Sequence, residues 1–396
     1  MKKKLRTGFT TGTSAAAATK GALQMILDGK KPSRVRIRLL TGDDIHIPIH
    51  CCRVENENFA VCSVIKDGGD DPDVTHKAEI GARVCLHHQP DSQPPEIVIS
   101  GGEGVGRVTK PGLEVPPGQA AINPGPVAMI TQAIHDVLKN HNLSATVKTE
   151  IFVPEGKKIA EKTLNARLGI LGGISILGTT GVVRPMSHDA FIATITAALS
   201  VARASGIRKL VLTTGRRSER FSQDLWPQLA EEAFVQIGDF FKMSLEAAAA
   251  RGFEQITLAV FFGKALKMAQ GIPHTHAARA SLTLDKLADW ALKITEDREL
   301  AGSIAGANTA RHAFDIIGKE HPDVISHVGK QIVKSAQRFA GQGMAIQSII
   351  FDYSGNVVFD SDRPEDRGQM TENRGQITKN PSADSAGGCD QKSCGC

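Results

Sequence analysis

The chain has few aromatic residues, no long apolar run and little excess charge of either sign. Only 5% of its 396 residues are aromatic, and Lys and Arg outnumber Asp and Glu by 47 to 42. So small a basic excess, scattered along the chain, argues against a dedicated nucleic-acid binder, although a basic groove for acidic small molecules stays open. No stretch approaches 18 uninterrupted apolar residues, which argues against a membrane-spanning helix.

The N-terminal segment lacks the pattern of a targeting peptide. Three lysines at positions 2–4 are followed by Thr, Gly and Ala instead of an apolar core, so we predict mature protein from the first residues. The seven cysteines are an odd number, and four of them, Cys51, Cys52, Cys62 and Cys85, lie in segments with the pattern of core strands or a helix. We therefore expect reduced thiols and a cytoplasmic protein.

The first part of the chain, residues 1–150, predicts an α+β domain that begins with antiparallel strands. An Ala-rich helix is expected over 13–28, with Thr11 or Thr13 as its cap and Gly29 as its stop. Alternating apolar residues then predict a hairpin and a third strand, and a helix with proline in its first turn follows later.

The second part, residues 151–362, changes to short apolar strands that alternate with helices. The segments GGISILG, KLVLTTG and QITLAVF each precede a helical stretch, and this alternation predicts a parallel, Rossmann-like α/β domain. A helical region and a closing hairpin, AIQSIIFDYSGNVVFD, follow. Residues 363–396 are polar and contain cysteines, and we expect a disordered tail. The fold class is therefore α/β in the mixed α+β sense.

Three glycine-rich segments could present backbone N–H groups to a ligand. Residues 7–14, TGFTTGTS, precede a helix N-terminus that favours an anion, although these threonines could be no more than helix caps. Residues 101–106, GGEGVG, lack the following helix of a dinucleotide fingerprint and are interpreted as a turn between strands. Residues 172–181, GGISILGTTG, have the strand, loop and helix order that ligand sites favour, with a tight turn as the alternative.

An acidic run, KDGGDDPDVTH, places Asp67, Asp70, Asp71 and Asp73 ahead of His76. Crowded carboxylates raise one another's pKa, so such a loop could hold a metal, bind sugar hydroxyls or supply a general base. The spacing departs from that of an EF-hand, which argues against calcium. A solvated acidic turn is the alternative.

Two further groups could bind a metal, but their patterns are weak. His274 and His276 are two residues apart and point the same way only on a strand. Cys389, Cys394 and Cys396 are soft ligands that lack a fourth partner. We therefore predict no protein-bound metal.

Four motifs resemble, in their order and their amino-acid sequence, those of the cobalt-precorrin-5B (C1)-methyltransferase family, or CbiD family, of the anaerobic cobalamin pathway. They are RTGFTTGTSAAAA, DGGDDPDVTH, GGEGVGRVTKPGLEVPPGQAAINPGPVAMI and NARLGILGGISILGTTGVVRPMS, and they cover most of residues 5–188. The resemblance implies a transferase that moves the methyl group of S-adenosylmethionine to C1 of cobalt-precorrin-5B. The products would be cobalt-precorrin-6A and S-adenosylhomocysteine, and cobalt would enter only as part of the substrate.

The resemblance is looser in the second half. TTGRRSER stands where the family has a Gly-Asn turn, VFFGK replaces a Gly-His-Ile-Gly-Lys run, and His274 replaces the asparagine before Thr-His. These departures leave open a methyltransferase of a different tetrapyrrole. A non-enzymatic cobalt or corrinoid carrier, in which the tail cysteines and the two histidines handle metal, is the alternative from another class.

The resemblance and the residue chemistry together predict three groups of site residues. As catalytic groups we expect Asp70, Asp71, Asp73 and His76. The aspartates would contact the methyl donor or accept a proton, and His76 would lie near the corrinoid ring or its cobalt. As the loop that binds S-adenosylmethionine by close backbone approach, we expect Gly172, Gly173, Ser175, Gly178, Thr179, Thr180 and Gly181. As groups that bind the carboxylate-rich corrinoid, we expect Arg6, Thr10, Thr11, Thr13, Lys110, Arg167 and Arg184, with ordinary surface charge as the alternative for the basic residues.

The expected partner is the small-molecule corrinoid, with neither nucleic acid nor membrane. A homodimer and contacts with other enzymes of the pathway stay open. A cleft between the two halves of the chain would bring the motifs of the first half to a cofactor held by the second.

Overall fold

Helices and strands alternate along most of the chain in the computed structural model, which describes residues 5–89, 94–185, 187–276 and 281–363. The helices are α1 (Thr11–Asp28), α2 (Pro124–Asn140), α3 (Gly156–Ala160), α4 (His188–Ala204), α5 (Arg216–Leu225), α6 (Phe241–Ala250), α7 (Phe262–Ala269), α8 (Ser281–Thr295), α9 (Arg298–Ala305), α10 (Ala310–Ile317) and α11 (Pro322–Ala340). In the part of the chain that the structure describes, none of these helices is long and apolar enough to cross a membrane.

Within these described ranges, the strands form two five-stranded sheets and three small two-stranded ones. They are β1 (Gly8–Phe9), β2 (Arg34–Arg38), β3 (Asp44–Pro48), β4 (Cys51–Asn56), β5 (Phe59–Ile65), β6 (Glu79–His88), β7 (Glu96–Gly101), β8 (Arg107–Val108), β9 (Ala145–Phe152), β10 (Ile170–Leu171), β11 (Val182–Val183), β12 (Lys209–Thr213), β13 (Phe234–Gln236), β14 (Gln255–Phe261), β15 (Ala345–Phe351) and β16 (Val357–Asp360). The predicted mixed α/β class is confirmed.

The first large sheet has the order β4-β5-β6-β9-β7 and is covered by α1, against which α2 packs. Its neighbours are antiparallel except β7 and β9, which run parallel. The run from Ala15 to Ala18 in α1 is completely buried. Because these side chains are single methyl groups, α1 can lie close to the sheet without leaving cavities.

Helix α1 begins earlier than its sequence predicts. Thr10 is the N-cap, and its side chain accepts a hydrogen bond from the backbone N–H of Thr13, so the expected caps Thr11 and Thr13 lie inside the first turn. Gly29 ends the helix in the left-handed conformation with φ of 69°, as predicted.

One cysteine pair departs from the expected reduced state. Cys52 on β4 lies directly opposite Cys62 on β5, and the two are joined as a disulfide. The antiparallel register explains the pairing, because directly opposed residues bring their Cβ atoms close together. Cys51 and Cys85 are free thiols, and the cytoplasmic location stays a prediction.

The second large sheet has the order β13-β12-β14-β15-β16, in which the first four strands are parallel and β16 is antiparallel. The predicted strands KLVLTTG and QITLAVF are β12 and β14, and the closing hairpin is β15 and β16. The narrower Rossmann-like assignment stays a prediction.

The segment GGISILG is not a strand of this parallel sheet, contrary to the sequence prediction. Ile174 and Ile176 instead make isolated bridges to Val105 and Ile122 in the first half of the chain. Both isoleucines are buried in the core beneath α1 and α2, whereas the second core begins at Ile195. GGISILG therefore packs with residues 1–150 and not with the parallel sheet.

The described residues up to Ser361 form one compact unit. The domain boundaries predicted within this unit stay predictions. The predicted disordered tail and its cysteines lie outside the described residues.

Candidate active site

A cavity of about 190 Å³ lies where three of the sequence motifs meet. The N-terminal threonines, the acidic loop and the glycine-rich loop each contribute part of its wall. The lining residues are Thr10, Thr11, Lys66, Asp73, Val74, Thr75, Thr163, Asn165, Ile174, Ser175, Leu177 and Val183. Segments far apart in sequence, between Thr10 and Val183, thus form one site.

The acidic loop is held along the segment that precedes α1. The backbone N–H of Phe9 donates to the Asp67 carbonyl at 2.8 Å, and that of Asp70 donates to the Arg6 carbonyl at 2.9 Å. The backbone N–H of Arg6 donates to Oδ2 of Asp70 at 2.7 Å, and its guanidinium group pairs with Asp67. The hydrogen bond from Arg6 holds the pKa of the Asp67 carboxyl below its usual value.

Two glycines allow this close approach. A Cβ atom on Gly8 would overlap the Asp67 carbonyl, and one on Gly69 would overlap the Arg6 carbonyl. Gly69 also has a φ of +67°, which other residues rarely adopt. The N-terminal segment and the acidic loop can lie together only with glycine at both positions.

Lys66 and Asp73 form an ion pair in the wall of the cavity. Lys66 Nζ donates to Asp73 Oδ2 at 2.6 Å, and only 1% of the lysine side chain is exposed. Oδ1 of Asp73 accepts 2.8 Å bonds from the backbone N–H and the hydroxyl of Thr75. Burial raises the pKa of Asp73, but the charge and hydrogen bond of Lys66 and the bonds from Thr75 outweigh it, so the pKa lies below its usual value.

The other members of the predicted catalytic group lie in the same loop but do not line the cavity as the structure describes it. Asp70 is exposed, and Asp71 and His76 are half-buried. The backbone N–H of Gly68 donates to Nδ1 of His76 at 3.0 Å. Because Nδ1 is the acceptor, the proton of the neutral imidazole is on Nε2.

The N-terminal threonines join α1 to the glycine-rich loop. The hydroxyl of Thr11 accepts a 2.8 Å bond from the Leu177 N–H and donates to the Leu177 carbonyl at 3.1 Å. The hydroxyl of Thr13 donates to the Gly181 carbonyl at 2.8 Å. Thr10, Thr11 and Thr13 are all buried, so they act as caps and as links between two chain segments.

Several glycines of the predicted donor-binding loop pack against the protein's own chain. A Cβ atom on Gly173 would overlap Gly104, and one on Gly178 would overlap the side chain of Thr10. Gly181 similarly lies close to Leu39, whereas Gly172 has open space around it. Close internal packing therefore explains three of these glycines, and their contact with a methyl donor stays a prediction.

Two of the predicted anchors for the corrinoid are engaged in ion pairs away from the cavity. Lys110 Nζ lies 2.6 Å from Glu232, and Arg167 lies 2.8 Å from Glu219 and 3.6 Å from Glu231. These pairs connect the GGEGVG and NARLG regions to the segments around β13. Thr179, Thr180 and Arg184 are exposed, and Arg184 follows the cavity residue Val183 directly.

The sequence prediction missed several cavity residues, among them Lys66, Thr163 and Asn165. A signal for Lys66 exists, because it directly follows β5 and the alternation of that strand, continued by one residue, puts it on the same face as the buried Cys62 and Val64. Asn165 lies in the quoted motif NARLG, and its amide donates to the Gly173 carbonyl at 3.2 Å.

His274 and His276 lie in the second half of the chain. Within the described ranges, no group of three or more His, Cys, Asp and Glu side chains could hold a metal ion.

The comparisons with known proteins agree with the motifs that line the cavity. Residues 1–185 match the family model described as CbiD, and residues 274–362 match that of the CbiD C-terminal domain. The cobalt-precorrin-5B C(1)-methyltransferase of Nitratidesulfovibrio vulgaris is 44% identical over 364 residues, which cover 89% of this chain and 92% of the relative. The chain belongs to the CbiD family. The family resemblance inferred from the four motifs is thereby confirmed.

Other members of the CbiD family are similar to this chain over comparable lengths. The cobalt-precorrin-5B C(1)-methyltransferase of Geobacillus kaustophilus is 41% identical over 372 residues, with 92% of this chain and 98% of the relative covered. That of Priestia megaterium is 41% identical over 357 residues, with 90% and 96% covered. A solved structure of the cobalamin biosynthesis protein (cbiD) of Archaeoglobus fulgidus is 28% identical, covers 65% of this chain and 78% of that chain, and has a TM-score of 0.37.

Proposed function

We propose that this chain is a methyltransferase that transfers the methyl group of S-adenosylmethionine to C1 of cobalt-precorrin-5B. The observation that carries the proposal is 44% identity to an enzyme of that name across 92% of the enzyme's length. The products are cobalt-precorrin-6A and S-adenosylhomocysteine, and the reaction belongs to cobalamin biosynthesis. The proposal includes a cytoplasmic location, as expected from the sequence.

The cavity at the meeting point of the motifs is the proposed place of methyl transfer. Its volume of about 190 Å³ is smaller than the 300–1,000 Å³ typical of pockets that enclose a whole ligand. It therefore receives part of a ligand, and the rest lies outside its mouth. Its wall combines apolar side chains such as Val74 and Leu177 with the hydroxyls of Thr75 and Ser175, which fits the sulfur region and the polar substituents of the donor.

The main task of the protein in this reaction is positioning. The donor supplies a methyl group on a positively charged sulfur, and its displacement requires the ring carbon, the methyl carbon and the sulfur to be in line. Holding reactants in such a geometry supplies about 7–11 kcal/mol of the barrier. The bonds of Thr11 to Leu177 and of Lys66 to Asp73 make the cavity wall rigid.

Asp73 is a positioning residue in this proposal and not a general base. Its carboxylate already accepts bonds from Lys66 and Thr75, and its pKa is lowered, whereas an efficient base has a pKa near the working pH. Asp70 and Asp71 remain the proposed groups for contact with the donor or for proton transfer, and His76 remains the proposed group near the corrinoid ring or its cobalt. Asp71→Asn tests this role, because turnover within a few-fold of the wild type would remove that carboxylate from the mechanism.

Arg184 is the proposed anchor for the corrinoid's carboxylates. It is exposed and adjoins Val183 of the cavity, and it makes no ion pair with another described residue that a charge-assisted bond to the corrinoid would have to break. Lys110 and Arg167 would have to leave their glutamate partners to bind the corrinoid. We therefore propose that these two residues chiefly join the segments that surround the site.

Calorimetric titration with S-adenosylhomocysteine, with and without a cobalt-corrinoid intermediate, tests the function. Micromolar binding that the corrinoid strengthens is the expected result, and no binding under either condition would contradict the proposal.

Val183→Trp tests the location of the donor site, because Val183 lines the cavity and an indole would fill it. Val182→Trp is the matched control, since neighbouring strand residues point to opposite faces; equal binding by the two variants would rule out this cavity.

A further inference from the structure

The carboxyl ends of the parallel strands meet at one edge of the second sheet. Strands β12, β13 and β14 run in the same direction there. Asp239 follows β13, and Lys264 lies in the first turn of α7, directly after β14. Open parallel sheets bind ligands in the crevice outside the carboxyl ends of their strands, and the methyl-transfer cavity described above does not include this edge.

Asp239 is the centre of a polar group at this edge. Its carboxylate pairs with Lys264 and accepts a 3.0 Å bond from the hydroxyl of Thr275. The backbone N–H of Thr275 also donates to the Asp239 carbonyl at 2.9 Å. Burial raises the pKa of Asp239, but the hydrogen bond and charge of Lys264 outweigh it and keep the carboxylate ionised.

A second lysine adds a positive charge that no carboxylate in the described residues pairs with. Lys267 Nζ donates to the carbonyls of Thr275 at 3.2 Å and His276 at 3.1 Å. An ammonium group has three N–H donors, so these two bonds leave one donor for another acceptor. Burial, followed by the charge of Lys264, lowers the pKa of Lys267, as expected where a partly buried ammonium group lies near a second one.

Aromatic rings flank the residues that the two lysines contact, since Phe240 follows Asp239 and His274 precedes Thr275 in the sequence. His274 stacks on His188 with ring centroids 5.2 Å apart and meets Phe240 edge-on at 4.8 Å. Phe191, 42% exposed, stacks on Phe240. Nε2 of His274 is buried and has no hydrogen-bond partner among the described residues. A buried polar atom without a partner is costly, and a bound ligand would relieve that cost.

We propose that Asp239, Lys264, Lys267, His274 and Thr275, which we call the two-lysine cluster, form a binding site for a ligand carboxylate. The third donor of Lys267 and the excess positive charge bind the carboxylate, and the adjoining rings support the planar part of the same ligand. The inference rests on the proposed function, which involves two ligands that each have a carboxylate and a planar part. These are the methyl donor, with its amino-acid carboxylate, and the corrinoid, with its carboxylate side chains.

Binding measurements on four probes separate the two sources of the carboxylate. S-adenosylhomocysteine is compared with 5′-methylthioadenosine, which has the same adenosyl group without the amino-acid carboxylate. Cobyrinic acid, a cobalt corrinoid with free carboxylates, is compared with its methyl ester. Each probe is titrated into the wild-type chain and into the Lys267→Met, Lys267→Arg and Lys293→Met variants. Lys293 is an exposed lysine of α8 and provides the matched control.

Lys267→Met is expected to weaken binding of one acid about tenfold or more and to leave its carboxylate-free counterpart within about twofold, since bonds to charged groups are strong. Weaker binding of S-adenosylhomocysteine would identify the donor as the source, and weaker binding of cobyrinic acid would identify the substrate. Lys267→Arg should retain most of the affinity because it retains the charge.

A Lys267→Met protein that binds both acids as tightly as the wild type overturns the inference and leaves the proposed function intact. A wild-type chain that binds neither acid overturns both. Binding of the carboxylate-free probe also reports on folding, because a misfolded variant would bind neither that probe nor the acid. Equal losses of the acid and its counterpart in Lys267→Met, with full affinity in Lys267→Arg, would likewise contradict recognition of a carboxylate.

Discussion

The ammonium nitrogen of Lys66 lies 2.6 Å from a carboxylate oxygen of Asp73, and just 1% of the lysine side chain is exposed. Lys66 directly follows β5, and Asp73 belongs to the acidic loop. The pair therefore ties the loop to the end of a core strand and forms part of the cavity wall. Its geometry leads to the first two predictions.

Removal of the lysine charge should destabilise the protein strongly. Lys66→Met leaves the partly buried Asp73 carboxylate without its ammonium partner, and breaking a buried pair in this way costs about 3 kcal/mol or more. Urea unfolding measures the loss. Lys30→Met, at an exposed lysine, should change the free energy of unfolding by less than about 0.5 kcal/mol. A similar loss in both variants would contradict the structural role of the pair.

The contribution of Asp73 should depend on pH in the acid range. Its pKa is lowered in the folded state, so its stabilising effect is complete above the unfolded value of about 3.9 and is lost as the pH falls through the folded value. The difference in unfolding free energy between the wild type and Asp73→Asn should stay constant from about pH 7 to 5 and shrink below about pH 4. A difference that does not shrink there would contradict the ion pair.

Gly69 should tolerate alanine less well than a glycine of similar conformation in open space. Gly69 has a φ of +67° and lies against the Arg6 carbonyl, whereas Gly252 has a φ of +69° and no neighbouring atom within 4 Å of an added Cβ. Gly252→Ala should cost about 1 kcal/mol from backbone strain alone. Gly69→Ala should cost at least about twice as much, because the N-terminal segment must also move. Thermal unfolding compares the two, and equal costs would refute the close approach.

Loss of the Thr11 hydroxyl should weaken the link between α1 and the glycine-rich loop. Thr11→Val has the same shape but leaves the N–H and carbonyl of Leu177 without the bonds that the hydroxyl makes. The expected loss is about 1–3 kcal/mol in the free energy of unfolding. Thr179→Val, at an exposed position of the same loop, should have little effect. An unchanged stability of Thr11→Val would show that the hydroxyl does not join these segments.

The sequence predicted those elements whose pattern is local. The apolar spacing of α1 and the alternation of β2 and β3 depend on neighbours a few residues away, and both were confirmed. The prediction that GGISILG is a strand of the parallel sheet was wrong, because Ile174 and Ile176 are held by bridges to Val105 and Ile122. Such long-range pairing leaves no trace in the periodicity of one segment.

The sequence predicted which segments form the candidate site better than it predicted which side chains line it. The threonines, the acidic loop and the glycine-rich loop all reach the cavity through Thr10, Asp73 and Ser175. Lys66 was missed because a lysine after a strand is usually exposed. Gly178 has an internal packing role, which composition alone cannot distinguish from contact with a ligand.

The central claim is that this chain methylates C1 of a cobalt corrinoid. Purified protein should be incubated with cobalt-precorrin-5B and S-adenosylmethionine whose transferable methyl group is deuterated, and the corrinoid should be analysed by mass spectrometry and NMR. The account predicts one labelled methyl group at C1 and an equal amount of S-adenosylhomocysteine. An unlabelled corrinoid, or a label on another carbon, would contradict it.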